Sequence, residues 1–154
     1  MCDPEILKNV SIFKNLSDDE AEKVTNLCGE QKFEPGDIII EEDTKGEGLY
    51  IIRSGKARVV KLEGGYERNI AEVGPGEHIG EMSLIDDMNT SARVVAEEPT
   101  VCLALRKEDL DLAMDSDDKL HIKILRSITA TLTERLRRTS EDLMVWKLEF
   151  NEDM

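Results

Sequence analysis

The hydrophobic and polar positions of the chain fall into three successive patterns. Residues 4–28 have the spacing of helices, and Ser17 with Glu20 predicts a capping box at the start of the second helix. From residue 30 to 106, short apolar runs alternate with Gly, Pro and Asp turns, which is typical of β-strands. The strands are predicted at 31–33, 38–42, 49–53, 56–62, 68–73, 91–96 and 101–106.

Helical spacing returns after Arg106, first at 107–114 and then in a long run from about 118 to 148. Many short strands followed by helix predict a mainly β fold, a jelly-roll or barrel, with N-terminal helices and one long C-terminal helix. The length of 154 residues fits a single domain. Its parts are predicted as a helical segment at 1–29, a β jelly-roll at 30–106 and C-terminal helices at 107–148.

The long helix carries an apolar stripe that must be buried against another surface. Its members recur at steps of three, four and seven: Leu125, Ile128, Leu132, Leu136, Leu143 and Trp146. One explanation is that the stripe packs on the β-domain of its own chain. The other is a coiled-coil-like seam with a second copy. Because a helix of roughly eight turns is longer than so small a barrel can cover, its length favours the homodimer.

The composition narrows the choice of partners. The formal net charge of −14 disfavours nucleic acids and acidic membranes, since both require a positive field. Cys2, Cys28 and Cys102 are odd in number and widely spaced, so they predict neither a disulfide framework nor a metal site. There is no apolar run long enough to span a membrane and no basic N-terminal leader, so we expect a cytoplasmic protein without membrane contact.

Residues 74–94 form the segment with the most distinctive chemistry. Glycines at 74, 76 and 80 permit close approach of an anion to the backbone, and a helix opening at Gly80 would direct free N–H groups at it. Glu81 could accept hydrogen bonds from a sugar hydroxyl. The combination suits a ligand with an anionic end and a hydroxylated middle. Taken alone, however, the same residues are better explained as turn glycines and a solvated glutamate, because short Gly motifs match by chance.

This segment, Gly74-Pro75-Gly76 through Gly80-Glu81-Met82-Ser83 to Thr90-Ser91-Ala92-Arg93, resembles the phosphate-binding cassette PGxxFGExALLxxxPRxATV. That cassette belongs to the cyclic nucleotide-binding domains, the family that includes the catabolite activator protein and kinase regulatory subunits. The resemblance runs from about Ile12 to Leu143 and implies a double-stranded β-helix jelly-roll. It also implies that Glu81 binds the ribose 2′-hydroxyl of cAMP or another cyclic nucleotide. Backbone N–H groups near Ser83 and Ser91 would hold the phosphate, with Gly80 and Ala92 keeping the backbone close.

The chain departs from the family pattern at two places. Thr90 stands where the family has the arginine that pairs with the phosphate, and Glu42-Asp43-Thr44 replaces Glu-Gly-Asp. Losing one partner of a buried charge pair costs about 2–5 kcal/mol, so we expect weak nucleotide binding. Arg93 is the nearest substitute: on a strand over 91–96 it would share a face with Ser91 and reach the pocket, or else lie on the outer surface.

The long helix resembles the dimer helix of the family's transcription factors, in which a Thr-Ser pair contacts adenine. Thr139 and Ser140 match that pair, although polar pairs on helices are commonly solvated or bonded to their own backbone. No winged helix-turn-helix follows the helix in this sequence, so we expect no direct DNA binding. Arg135, Arg137 and Arg138 are interpreted as a solvated basic patch paired with acidic neighbours.

Two functions follow from these observations. The first is a regulatory sensor that binds cAMP or a related nucleotide weakly and signals through a dimerising C-terminal helix. The second is a degenerate module that binds no nucleotide and acts with a protein partner, such as a separate effector. An enzyme is not expected, because the two histidines, His78 and His121, are interpreted as a loop residue and a helix-surface residue. Cys102 is interpreted as a core residue.

Overall fold

The computed structural model describes residues 4–86 and 88–152, with side chains as far as Met144. Cys2 and the side chain of Trp146 therefore lie outside the described part. Two helices open the chain, α1 at Pro4–Lys8 and α2 at Asp18–Thr25. The predicted capping box is confirmed: the Glu20 N–H donates to the Ser17 hydroxyl at 3.2 Å, and the Ser17 N–H donates to the Glu20 carboxylate at 2.9 Å.

Eight antiparallel strands form two four-stranded sheets and confirm the jelly-roll. They are β1 Gly29–Phe33, β2 Ile38–Ile40, β3 Gly48–Ser54, β4 Ala57–Glu63, β5 Tyr66–Val73, β6 His78–Ile79, β7 Arg93–Ala96 and β8 Thr100–Arg106. The strand orders are β1-β8-β3-β6 and β2-β7-β4-β5. The sequence predicts each of these strands except β6, which holds only two residues and pairs with β3. His78 is therefore a buried strand residue rather than the predicted loop residue.

The core has two layers, because β3 and β8 are covered on both faces. Leu49 and Ile51 point toward the helices, whereas Ile52 and Cys102 point toward the second sheet. Such alternation follows from the two-residue period of a strand. Cys102 is fully buried, as predicted, and burial raises the pKa of its thiol to about 11. Ile12, Phe13 and Leu16 of the N-terminal segment close the outer layer.

Helix α3 spans Lys107–Asp115 and α4 spans Asp118–Glu152. Only the first part of α4 packs on the β-domain, through Leu120, Ile124 and Ile128, with Leu132 partly buried. Farther along, Leu136 and Leu143 are 65% and 52% exposed. The apolar stripe is thus divided: Ile128 and Leu132 contact their own chain, as the first explanation requires, whereas Leu125, Leu136 and Leu143 lie uncovered. None of the described helices is long and apolar enough to cross a membrane.

Candidate functional site

A cavity of about 1010 Å³ opens between the two sheets at the edge where the residue 74–94 segment lies. Its walls come from β2, the loop before β3, the turn after β6 and residues 88–92, and α4 contributes Arg135 from outside the barrel. Small-molecule sites commonly have volumes of about 300–1,000 Å³. The cavity is therefore large enough for a ligand the size of a nucleotide.

The turn between β6 and the short helix of the cassette requires glycine. Gly80 has a φ of 90°, and a Cβ at this position would lie 2.4 Å from the carbonyl oxygen of Gly48. The chain then enters a short 3-10 helix, Glu81–Leu84, in which the Ser83 hydroxyl donates to the Gly80 carbonyl at 2.7 Å. A Cβ on Gly46 would meet the Ser83 side chain at 2.3 Å. These glycines bring two backbones together and are not merely turn residues.

Glu81 is the most strongly perturbed carboxylate that lines the cavity. Its side chain forms an ion pair with Arg135 of α4, and the Nδ1 atom of His78 lies 3.3 Å from its Oε2. Although burial alone would raise the pKa of Glu81, the contact with His78 and the charge of Arg135 lower it to about 2. Glu81 is therefore ionised at neutral pH and already has a cationic partner, Arg135, in the absence of a ligand.

His78 extends this contact into the body of the protein. Its Nε2 is 3.2 Å from the hydroxyl of Ser11, and Thr131 of α4 donates to the same hydroxyl at 3.5 Å. The polar path from Glu81 thus reaches both the N-terminal segment and α4. Among the described residues, the Nδ1 atom of His78 is buried without a hydrogen-bond partner, so its link to Glu81 is a close contact and not a hydrogen bond.

Thr90 lines the cavity, but its hydroxyl is engaged by the loop before β3. It donates to the Glu41 carbonyl and accepts the N–H of Thr44 at 3.1 Å. The Asp43 N–H donates to the Thr90 carbonyl at 2.9 Å, and Asp43 has a φ of 56°. Aspartate tolerates this left-handed conformation better than most residues, so it can stand where the family has glycine. The two departures from the family pattern are therefore in direct contact.

Arg93 lies on the outer side of β7 and is not among the residues lining the cavity. Its guanidinium donates to Glu41 at 2.8 Å and to Glu67 at 3.2 Å. The predicted sharing of a face with Ser91 fails because β7 begins only at Arg93, so strand alternation does not extend back to Ser91. Of the two placements open at the sequence level, the structure shows the outer surface.

The remaining sequence-predicted residues divide into two groups. Gly80, Met82, Ser83, Ser91 and Ala92 line the cavity together with Glu81. Thr139 and Ser140 are exposed on α4 and do not line it, and the Thr139 hydroxyl donates to the Arg135 carbonyl at 3.0 Å. Within this single chain, the polar pair therefore bonds to its own helix or to solvent.

Sequence reasoning missed Arg135 and His78 as cavity residues. The sequence predicts Arg135 as part of a solvated patch, although it precedes Thr139 by four residues and so occupies the same helix face. Because Thr139 itself does not line the cavity, this register alone does not predict the contact of Arg135 with Glu81. For His78 the sequence shows Glu81 three residues away, but not the burial of its ring or its contact with Ser11, which is 67 residues away in the chain.

Acidic groups predominate around the cavity. Among the described residues, two cations line it, Lys45 and Arg135. The lining carboxylates are Glu41, Glu47, Glu72, Glu77, Glu81 and Asp86. An anionic ligand therefore depends on a few local contacts rather than on a positive field. No group of His, Cys, Asp and Glu side chains in the described ranges is arranged to hold a metal ion.

Comparison with known proteins gives several matches. Mouse cGMP-dependent protein kinase 2 is 32% identical over 147 residues, which cover 92% of this chain but 19% of the kinase. The crystal structure of Thermus thermophilus catabolite activator protein is 32% identical with a TM-score of 0.77, covering 89% of this chain and 63% of that one. The chain thus spans about a fifth of the kinase and less than two thirds of the bacterial protein.

A third relative is the regulatory subunit of a cAMP-independent protein kinase A from Trypanosoma brucei. It is 27% identical with a TM-score of 0.71, and the match covers 82% of this chain and 44% of that one. The structure is of a mutant bound to cAMP in its A site, with glutamate-to-alanine, threonine-to-arginine and valine-to-alanine substitutions. A family model described as cyclic nucleotide-binding domain matches residues 30–117. The chain therefore belongs to the family of cyclic nucleotide-binding domains.

Proposed function

We propose that this chain is a regulatory domain that binds cAMP or a related nucleotide in the cavity and transmits occupancy through α4. The observation that carries the proposal is the ion pair between Glu81 of the cassette and Arg135 of α4. A ligand hydroxyl that binds Glu81 competes with Arg135 for the same carboxylate oxygens. Because α4 bears the competing group, occupancy of the cavity changes how that helix is held.

The cassette supplies the remaining contacts in this proposal. Glu81 accepts the ribose 2′-hydroxyl, and backbone N–H groups near Ser83 and Ser91 bind the phosphate. Gly80 and Ala92 keep the backbone near the ligand, where a larger side chain would obstruct it. Thr139 and Ser140 contact the base only when a second copy brings its α4 alongside, since in one chain they do not reach the cavity.

Affinity for cAMP is proposed to be weak because Thr90 offers no charge to the phosphate. Its hydroxyl is engaged by Glu41 and Thr44. The Trypanosoma brucei relative is described as cAMP-independent, and its mutant bound to cAMP includes a threonine-to-arginine change. That likeness is consistent with the proposal that an arginine at position 90 would strengthen cAMP binding.

Calorimetric titration with cAMP, cGMP and cyclic dinucleotides tests the proposal. We expect binding of at least one nucleotide, with cAMP weaker than micromolar, and loss of binding in Glu81→Ala. Submicromolar cAMP binding would contradict the weak-affinity proposal. No binding of any nucleotide by folded protein would favour the second function, an interaction module acting with a protein partner. The uncovered part of α4, with Leu136 and Leu143 exposed, supports that alternative.

Restoring the arginine tests the explanation for weak binding. In Thr90→Arg alone, the hydrogen bonds of the Thr90 hydroxyl with Glu41 and Thr44 are lost, and we expect little gain in cAMP affinity. In Thr44→Asp with Thr90→Arg, the aspartate stands where the family has one and can pair with the new guanidinium. We expect this double variant to bind cAMP about tenfold more tightly than the single variant. Equal affinities would show that the pocket is closed for another reason.

A further inference from the structure

We propose that Lys45 provides the positive charge for the ligand's phosphate group, in place of the arginine that is absent at position 90. This inference rests on the proposed function, because it concerns the anionic end of the same ligand. It assigns the contact to the loop between β2 and β3 rather than to the cassette.

The backbone holds Lys45 beside position 90. Lys45 forms an isolated antiparallel β-bridge with Asn89. The preceding residue, Thr44, donates its N–H to the Thr90 hydroxyl at 3.1 Å, and the Thr90 N–H donates to the Thr44 carbonyl at 2.8 Å. The Lys45 side chain therefore leaves the backbone next to Thr90, the residue that replaces the family's arginine.

The residue after Lys45 fixes the loop against the cassette. Gly46 approaches Ser83 so closely that a Cβ would lie 2.3 Å from the Ser83 Cβ. Since Ser83 belongs to the segment proposed to bind the phosphate, the Lys45 backbone is held near that segment from both sides. Its flexible four-carbon stem then allows the ammonium group to meet an anion in the cavity that Lys45 lines.

The other cations near the cassette are already engaged. Arg93 binds Glu41 and Glu67 on the outer side of β7. Lys61 forms an ion pair with Glu42 at 2.8 Å and donates to the Ser91 carbonyl at 2.7 Å. Arg135 is held by Glu81, at the end of the ligand site assigned to the ribose.

Lys45 lacks such a partner. No side-chain hydrogen bond or ion pair of Lys45 occurs within the described residues. Its side chain is exposed, so the ammonium keeps its hydration and would bind a phosphate as a point charge, not as the bidentate fork of a buried arginine. The contact is thereby weaker than the one it replaces, in agreement with weak cAMP affinity. Lys45 also lines a second, smaller cavity of about 350 Å³, so it belongs to the walls of both cavities.

Comparing cAMP with adenosine isolates the phosphate contact, because adenosine keeps the base and the ribose hydroxyls but has no charge. Calorimetry should show that Lys45→Gln weakens cAMP binding about tenfold and leaves adenosine binding unchanged. Lys45→Arg should retain most of the cAMP affinity. The matched control is Lys32→Gln, which removes the same charge from an exposed position on β1 and should change neither affinity more than about twofold.

Several outcomes would overturn the inference. If Lys45→Gln weakens cAMP and adenosine equally, or neither, Lys45 does not contact the phosphate. If the unmodified protein binds adenosine as tightly as cAMP, no phosphate contact exists, while nucleotide recognition by the cavity stands. If it binds neither ligand nor any other nucleotide, the proposed function fails as well. The last two results separate failure of the Lys45 contact from failure of the site.

Discussion

Among single residues, Glu81 combines burial with full charge, and its neighbours explain how. It is only 8% exposed, so its ionised form needs partners inside the protein. The contact with His78 and the charge of Arg135 hold its pKa at about 2, below the ordinary value of 4.5. A carboxylate whose pKa is depressed on folding stabilises the folded state above its unfolded pKa. That stabilisation is lost as the pH falls through the folded pKa.

This linkage predicts a specific pH dependence. Between pH 7 and pH 3 the unmodified protein should lose ~2 kcal/mol more unfolding free energy than Glu81→Gln, which has no carboxyl group to titrate there. Urea unfolding of both proteins at the two pH values measures the difference. Glu63→Gln, at an exposed position, is the control and should behave as the unmodified protein. Equal losses in Glu81→Gln and the unmodified protein would mean that Arg135 and His78 do not hold the carboxylate as described.

Local sequence predicts only those site residues that lie within one segment. Gly80, Glu81, Ser83 and Ser91 are recognisable because a turn and a short helix bring them together over a few positions. Arg135 reaches Glu81 across 54 residues of chain, and Thr90 reaches Glu41 across 49. Such contacts depend on how α4 and the loop before β3 pack, which residue spacing does not encode.

Among the elements, the strands and helices lie where the hydrophobic periods of the sequence predict them, except for one very short strand. The strand pattern identifies seven of the eight strands, whereas β6 has two residues and no alternation that could reveal it. The apolar period of α4 is equally clear in the sequence. The period does not show how far along α4 the helix packs on its own chain. Leu132 and Leu136 are equivalent in the pattern, yet Leu132 is partly buried and Leu136 is exposed.

The uncovered part of α4 gives the prediction at this scale. If a second copy covers it, light scattering should give a mass near twice 17.4 kDa, and Leu136→Asp should return it to the monomer value. Leu132 is a poorer test site, because it also packs on the core and its substitution would lower the stability of the monomer as well. Ala130→Asp adds the same charge to an exposed position outside the stripe and should leave the mass unchanged. A monomeric mass for the unmodified chain at high concentration would contradict homodimerisation.

The molecule as a whole carries a net charge of −14, and this charge opposes the approach of any anionic ligand. Salt screens the repulsion: the Debye length falls from about 30 Å at 0.01 M to about 8 Å at 0.15 M. Salt screens a charge contact inside the cavity less than it screens the long-range field of the whole molecule. The association rate constant and the dissociation rate constant should therefore respond to salt differently.

We expect stopped-flow measurements to show that the association rate constant of cAMP rises about twofold between 0.01 and 0.15 M salt. Adenosine, which has no charge, should associate at the same rate throughout. In Lys45→Gln the increase for cAMP should be larger, because the nearest compensating charge has been removed. A fall in the cAMP association rate with salt would mean that Lys45 and Arg135 outweigh the other charges along the path into the cavity. The local field would then attract the ligand despite the acidity of the molecule.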